Sequence, residues 1–251
     1  MGAAGRDPGD GRPFRPHGGA GHRCPPRSVR RRGPLRRRGT APVSRRAGNE
    51  RVGAGTPSSD LDDFRDAVID DINVDACRLL IVGINPGLWT AKVGAPFARP
   101  GNRFWPALHA AGITSRLIDA REGLSDDDLR LLAEAGLGFT NVVARATARA
   151  DELTTADIRE GGRILDDKVA RQRELRGGPE MVMVAGIGAF RTAFGAKTPG
   201  GGKVAVGKQE REIGGAETWV VPNPSGLNAH ETVESLARAY REVWERLGWN
   251  G

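Results

Sequence analysis

Cysteine is nearly absent from this chain: Cys24 and Cys77 are the only two in 251 residues. Four-cysteine zinc or iron–sulfur ligation within one chain is therefore excluded. A disulfide between the two is not expected, and a reducing cytosol is the default compartment. Histidine is also scarce, and His17, His22, His109 and His230 show no ligand spacing. Neither a metal nor another cofactor is expected. No apolar run reaches the roughly 18 residues a membrane helix needs, and no signal-peptide core is visible, so no membrane association is expected. The chain also lacks a Walker loop, a dinucleotide G-x-G-x-x-G, a Ser/His/Asp arrangement and a pair of catalytic carboxylates.

Acids are missing from one region in particular. Residues 1–59 hold 14 arginines and no lysine against only Asp7, Asp10 and Glu50, a net +11. The whole chain is +7, which leaves −4 on residues 60–251. The high isoelectric point thus belongs to the first stretch and not to the rest. Rich in Arg, Pro and Gly and poor in apolar clusters, residues 1–58 cannot bury enough surface to offset their ordering entropy and read as a disordered basic tail. Three readings of it stand side by side: a phosphate-binding arm, a transit peptide lacking an amphipathic pattern, or translated sequence upstream of the true start. Residues 59–251 read as one domain.

From Ser59 onward the pattern changes. Ser59-Asp60-Leu61-Asp62 resembles a capping box, and Leu61, Phe64, Val68, Ile69 and Ile72 recur at helical spacing, which predicts a helix. Short apolar runs at 78–83, 138–143, 181–186 and 218–222 predict buried strands. Helical patterns lie between and after them, at about 103–112, 125–135, 155–174, 187–195 and 230–247. The last has one apolar face of Leu236, Tyr240, Val243, Trp244 and Leu247. Strands alternating with helices predict an α/β fold, a three-layer sandwich around a mostly parallel sheet of four or five strands. Ligands of such folds sit beyond the carboxyl ends of the strands, and the unusual segments of this chain follow strand ends.

Four segments could carry chemistry. Gly83-Ile84-Asn85-Pro86-Gly87 follows the first strand, where Asn85 projects from a stiff turn; its amide can accept from a water while donating elsewhere, though it cannot act as a base. A turn Asn satisfying nearby backbone is the bland alternative. The stretch from Lys92 to Trp105 gathers Lys92, Arg99 and Arg103 around Phe97 with no acid between them, which suits a loop that grips a nucleic-acid backbone and stacks an extruded base. Phe104 and Trp105 are expected to begin a helix and enter the core. The third segment, Val221-Pro222-Asn223-Pro224-Ser225-Gly226-Leu227-Asn228-Ala229-His230, is a stiff loop with a small hydroxyl, Ser225, able to meet a phosphate. Leu227 on it could wedge into a base stack; alternatively the segment caps the final helix through Asn228 or His230. In Thr140-Asn141 the amide could pair with N3–H and O4 of uracil, or simply close the strand.

Taken together, the first and third segments, in this order and about 140 residues apart, resemble the paired active-site motifs of the mismatch-specific uracil/thymine-DNA glycosylases, within them the bacterial G:U mismatch-specific branch of the uracil-DNA glycosylase superfamily. Pro96-Phe97-Ala98, Asn102-Arg103-Phe104-Trp105, Gly161-Gly162-Arg163 and Gly207-Lys208-Gln209 share in the likeness, which spans residues 78–247. The resemblance implies that Asn85 positions the nucleophilic water. It implies that Phe97 stacks on the flipped base while backbone near Ile84 and Phe97 reads its edges, that Ser225 contacts phosphate, and that Gly226 and Leu227 form the wedge. Asn223 stands where the fast, uracil-only branch has a catalytic His, and Asn85 where that branch has Asp. Two positions depart from the closest pattern: Asn228-Ala229 replaces Ser-Arg after the wedge leucine, removing a DNA-gripping Arg, and Asn141 stands where Lys can occur.

The implied protein is a monomeric, cofactor-free enzyme of the bacterial cytosol and nucleoid. Its expected partner is double-stranded DNA carrying a mismatched or damaged base, and the reaction is hydrolysis of the N-glycosidic bond of uracil or a related base. Two alternatives remain open: a general uracil-DNA glycosylase with no mismatch requirement, which Asn141 favours, and a non-catalytic binder of lesions or abasic sites.

Overall fold

Apolar side chains of three strands alternate between two faces, and that alternation sets the architecture. In β1 (Leu79–Gly83), Leu79 and Ile81 point to one side while Leu80 and Val82 point to the other. β3 (Met181–Ala185) and β5 (Glu217–Val221) repeat the pattern, with Met181, Met183, Trp219 and Val221 on the first side and Val182, Val184 and Val220 on the second. A strand whose two faces are both apolar is stable only when both are covered. The computed structural model, which describes residues 60–248, has a five-stranded sheet in the order β2-β1-β3-β5-β4. β2 (Leu137–Asn141), β1, β3 and β5 run parallel, and the two-residue β4 (Gly207–Lys208) joins the edge antiparallel. The protein is thus an α/β three-layer sandwich, as its sequence predicts.

One layer contains α2 (Phe104–Ala110), α3 (Asp126–Glu134) and α6 (Val233–Arg246), which pack Phe104, Leu108, Leu132, Leu236, Tyr240 and Val243 onto the first face. The other contains α4 (Thr155–Arg176) and α5 (Ile187–Phe194), which supply Leu165, Val169 and Phe190. Truncating one of the larger buried groups, such as Phe104, would cost about 3–5 kcal/mol. Ser125, Thr154 and Thr232 each start a helix with a reciprocal capping box, satisfying two otherwise orphaned amide donors. Thr232, and neither Asn228 nor His230, therefore caps α6, whose apolar face is the expected one. Among the described residues no helix is long and apolar enough to cross a membrane. The basic tail expected over residues 1–58 lies outside the described residues, as does Ser59.

The helix expected from Leu61 to Ile72 does not form. Only a single 3-10 turn, Asp62–Phe64, is present, and Asp66 then takes a left-handed φ of 61°. β2 lies at the sheet edge, where unpaired backbone groups need partners. Ile72 and Phe139 exchange both backbone hydrogen bonds, and Asp66 and Ala67 bond Ala146 in the same way. Covering the edge consumes the donors and acceptors a helix would have used. An unforeseen short helix, α1 (Leu88–Val93), follows Gly87 and includes Lys92 in its last turn.

Candidate active site

The parallel topology brings the carboxyl ends of β2, β1, β3 and β5 into one row. After β1 the chain moves to β2 on one side and later to β3 on the other, and the opening created at such a switch point is where ligands of these folds bind. A cavity of about 710 Å³ lies there, lined by Ile84, Asn85, Phe97, Arg99, Asn141, Asn223, Ser225, Leu227 and Asn228 among others. Nine of the eleven site residues expected from sequence thus share one cavity. Arg103 and Gly226 do not line it.

Asn85 is held by its amide nitrogen. Nδ2 donates to the carbonyls of Pro86 and Arg145, each at 3.1 Å, and to Thr147 Oγ1 at 2.8 Å. Two of these three partners are carbonyls, which can only accept, so the orientation of the amide follows from its surroundings. Oδ1 is left as the atom available to a water in the cavity. Thr147 is buried and passes its own proton to the carbonyl of Arg149 at 2.8 Å, which obliges its oxygen to accept from Asn85. Sequence reasoning missed Thr147 and the neighbouring cavity residues Ala148 to Asp151. A short polar side chain just beyond the β2 end was the available signal, but nothing local tied it to Asn85.

Phe97 adopts a φ of 55°, uncommon for a residue with a bulky side chain. Such strain persists only where surroundings over-determine it and tends to occur at functional sites. One face of its ring stacks on Phe104, with centroids 4.0 Å apart and planes 17° apart. The opposite face is the remaining stacking surface of this half-buried, cavity-lining ring. Phe104 and Trp105 are core residues, as expected. Asn141 lies in register with Gly83 across the ladder. A Cβ on Gly83 would lie 2.5 Å from Asn141 Oδ1 and 3.7 Å from Phe97 Cζ, so a glycine is what lets the Asn141 amide lie beside the aromatic ring. Among the described residues no protein group hydrogen-bonds that amide. A half-buried amide facing a cavity without a partner is a group suited to a polar ligand.

The loop after β5 is rigid where it meets the protein and bare at its tip. Asn223 Oδ1 accepts from the Ser225 amide at 3.0 Å, Asn228 Nδ2 donates to the Asn223 carbonyl at 3.0 Å, and Ser225 Oγ accepts from the Leu227 amide. Arg103, expected in the DNA-gripping loop, braces the loop after β5: its Nη1 donates to the carbonyls of Ser225 and Asn228, and its backbone amide to that of Pro224. It therefore pins this loop from below. Gly226 sits so close to Gly101 that a Cβ would come within 2.5 Å of the Gly101 carbonyl oxygen. Leu227, at the tip, is 80% exposed. Arg99 is exposed at the rim.

Charge around the cavity is sparse. Its charged lining consists of Arg99, Arg149 and Asp151. Arg149 lowers the proton affinity of Asp151 through a close ion pair at 2.6 Å. Among the described residues Asp151 is the one carboxylate that lines the cavity with Asn85, and no imidazole does.

The family model of the uracil DNA glycosylase superfamily matches residues 69–248. Among solved structures, the solution NMR structure of a candidate uracil DNA glycosylase from Methanosarcina acetivorans is similar at 17% identity and a TM-score of 0.48, over 72% of this chain and 98% of that one. The family match takes in every residue that lines the cavity, and the chain belongs to the uracil DNA glycosylase superfamily.

Proposed function

We propose that this protein flips uracil, or a closely related base, out of a G:U-mismatched duplex and hydrolyses its N-glycosidic bond, leaving an abasic site. Membership of the superfamily supports DNA glycosylase activity in general. The observation that carries the finer reading is the Asn85 amide, anchored through Nδ2 by three acceptors and left with one acceptor atom for a water.

In this reading Oδ1 of Asn85 accepts a hydrogen bond from a water and aims its oxygen at the sugar C1′. The C1′–N1 bond breaks, its electron pair leaves with the base as a uracil anion, and the water oxygen forms the new bond to C1′. The water's proton passes to the departing base or to solvent. A positioned amide lowers the entropic part of the barrier but takes no proton. A general base works best with a pKa near the operating pH, and Asp151, the one acid of the cavity, is held below the usual carboxylate range by Arg149. The site must therefore rely on a tolerable leaving group and on donors arranged around the developing charge. Slow turnover follows.

Phe97 stacks on the extruded base, the Asn141 amide meets its N3–H and O4, and Asn223 closes the pocket. Ser225 contacts a flanking phosphate. Leu227 and Gly226 enter the stack, where an apolar side chain fills the gap at a cost of a few kcal/mol in unstacking, lowest for a mispaired base. That low cost is what gives a mismatch its advantage. Residues 60–248 suffice for all of these steps, with residues 1–58 a separate tail and one protomer acting alone on DNA in the nucleoid.

The unpartnered amide of Asn141 favours a second reading: a general uracil-DNA glycosylase that recognises the base closely and needs no mismatch. Single-turnover release of uracil from G:U, A:U and single-stranded substrates separates the two. Release from G:U at least tenfold faster than from A:U supports the mismatch reading. Equal rates on all three support the general one, and lesion binding without release would reduce the protein to a binder.

A further inference from the structure

The loop that follows the wedge leucine carries no cation: from Ser225 to Thr232 there is neither Lys nor Arg. A duplex opened at the cavity mouth nevertheless presents phosphates on both sides of the extruded nucleotide. Arg99 stands on one wall, in the segment between α1 and α2, while Arg103 spends Nη1 on the wedge loop. On the opposite wall, beyond β2, Arg145 is engaged by Asp66 and Asp157. Among the described residues Arg149 is the remaining cation of that wall, and it lines the cavity.

Its placement is tied to the chemistry. The Arg149 carbonyl ends the hydrogen-bonded chain Asn85 Nδ2 to Thr147 Oγ1 to Arg149, and its amide is capped by Glu152 Oε1 at 3.1 Å. The backbone of Arg149 is thus registered to the Asn85 amide, while its side chain is 75% exposed. Nε and Nη2 meet the carboxylate of Asp151, itself 63% exposed, and Nη1 makes no hydrogen bond among the described residues. An exposed ion pair of this kind contributes little to stability, so the guanidinium can exchange the carboxylate for a phosphate, a group its planar fork also fits.

We infer that Arg149 grips a backbone phosphate of the strand carrying the extruded nucleotide, with Asp151 occupying the guanidinium until DNA arrives. The inference rests on the DNA glycosylase reading above and adds a binding residue on the wall opposite the wedge.

The test uses the full chain and a duplex carrying a tetrahydrofuran abasic analogue opposite guanine, with binding followed by fluorescence anisotropy from about 50 to about 200 mM KCl. Arg149→Ala should weaken binding several-fold at the middle of that range and make the slope of log K against log salt shallower by about one, the signature of one lost phosphate contact. Arg149→Lys should keep the slope. Asp151→Asn should bind as tightly as the parent or more tightly, because it removes an acid that competes with phosphate. An unchanged slope in Arg149→Ala overturns the inference. So does Asp151→Asn weakening binding as much as Arg149→Ala, which would make the pair a structural brace. Failure of the underlying reading has a separate signature: a parent protein that neither releases uracil nor prefers the abasic duplex over an undamaged one, whatever the variants do.

Discussion

The two sides of the cavity are built on opposite terms. The wall formed by the ends of β1 and β2 is polar, and around Asn85 its groups are committed: the Asn85 nitrogen has three partners, and Thr147 is buried between Asn85 and Arg149. The wedge loop is committed only at its base, through Arg103, Asn223 and Asn228, and ends in a leucine that lies open to solvent. The difference matches what the proposed function asks of each. A group that orients a water is effective only if its geometry is set before the reaction. A group that replaces a base in the stack gains its contacts only when DNA is there. On the proposed function, rigidity is thus placed where the water is oriented, and unburied apolar surface where the duplex is opened.

The sharpest way to break this comparison is Asn85→Ala. Losing the water-orienting amide should slow base release about a hundredfold or more, roughly 3 kcal/mol in the barrier, while binding to an abasic duplex persists. A single-turnover rate within threefold of the parent would remove Asn85 from the mechanism.

Thr147→Val tests whether the amide acts because it is anchored. Removing the acceptor at 2.8 Å should lower the single-turnover rate about tenfold through a less uniquely oriented amide. Thr147→Ser, which keeps the hydroxyl, should restore most of it. The loss should fall on kcat with KM little changed, whereas a purely structural defect would lower the melting temperature and would not be rescued by Ser.

On the other side, Leu227→Ala should shift stability by no more than about 0.5 kcal/mol, since the side chain is exposed. Release from duplex DNA should fall several-fold and release from single strands much less, because only the duplex has a gap to fill. Equal losses on both substrates would deny Leu227 the wedge role.

The smallest effect concerns the strand that feeds the wedge loop. Glu217, at the start of β5, bonds Arg246 of α6 at 3.0 Å and Lys208 of β4 at 2.6 Å. These partners, Arg246 foremost, hold its carboxyl down at about 2 from an ordinary 4.5. A carboxylate depressed in the folded state contributes stability in full above its unfolded pKa and loses it as pH falls through the folded value. Glu217 should therefore support the fold above about pH 5 and cease to do so as pH approaches 2. Glu217→Gln should lower stability at neutral pH by about 1 kcal/mol and flatten its acid dependence between those limits. Chemical denaturation across pH checks this, and identical acid profiles for parent and variant would refute it.

Much of this protein was open to reading from the chain alone. The four parallel strands and the five longer helices are legible because their periods of two and 3.6 are local, and because buried strands in a doubly covered sheet are apolar on both faces. Asn85, Phe97 and Leu227 were legible as candidates because glycine and proline around each mark stiff, close-approach loops. What the chain could not disclose were pairings between distant residues. The segment from Leu61 to Ile72 has helical spacing, yet the unpaired edge of β2 took its backbone. β4 is two residues long and exists only because β5 offers it a ladder. Arg103 reads as a cation for DNA, and nothing near it in the chain signals that its Nη1 also donates to the carbonyls of Ser225 and Asn228. The orientation of the Asn85 amide, on which the proposed chemistry depends, is settled by Arg145 and Thr147, about sixty residues further along the chain. Local pattern determines which elements form. The hydrogen-bond partners of an element's exposed ends and side chains are set only once folding brings distant donors and acceptors within about 3 Å of each other.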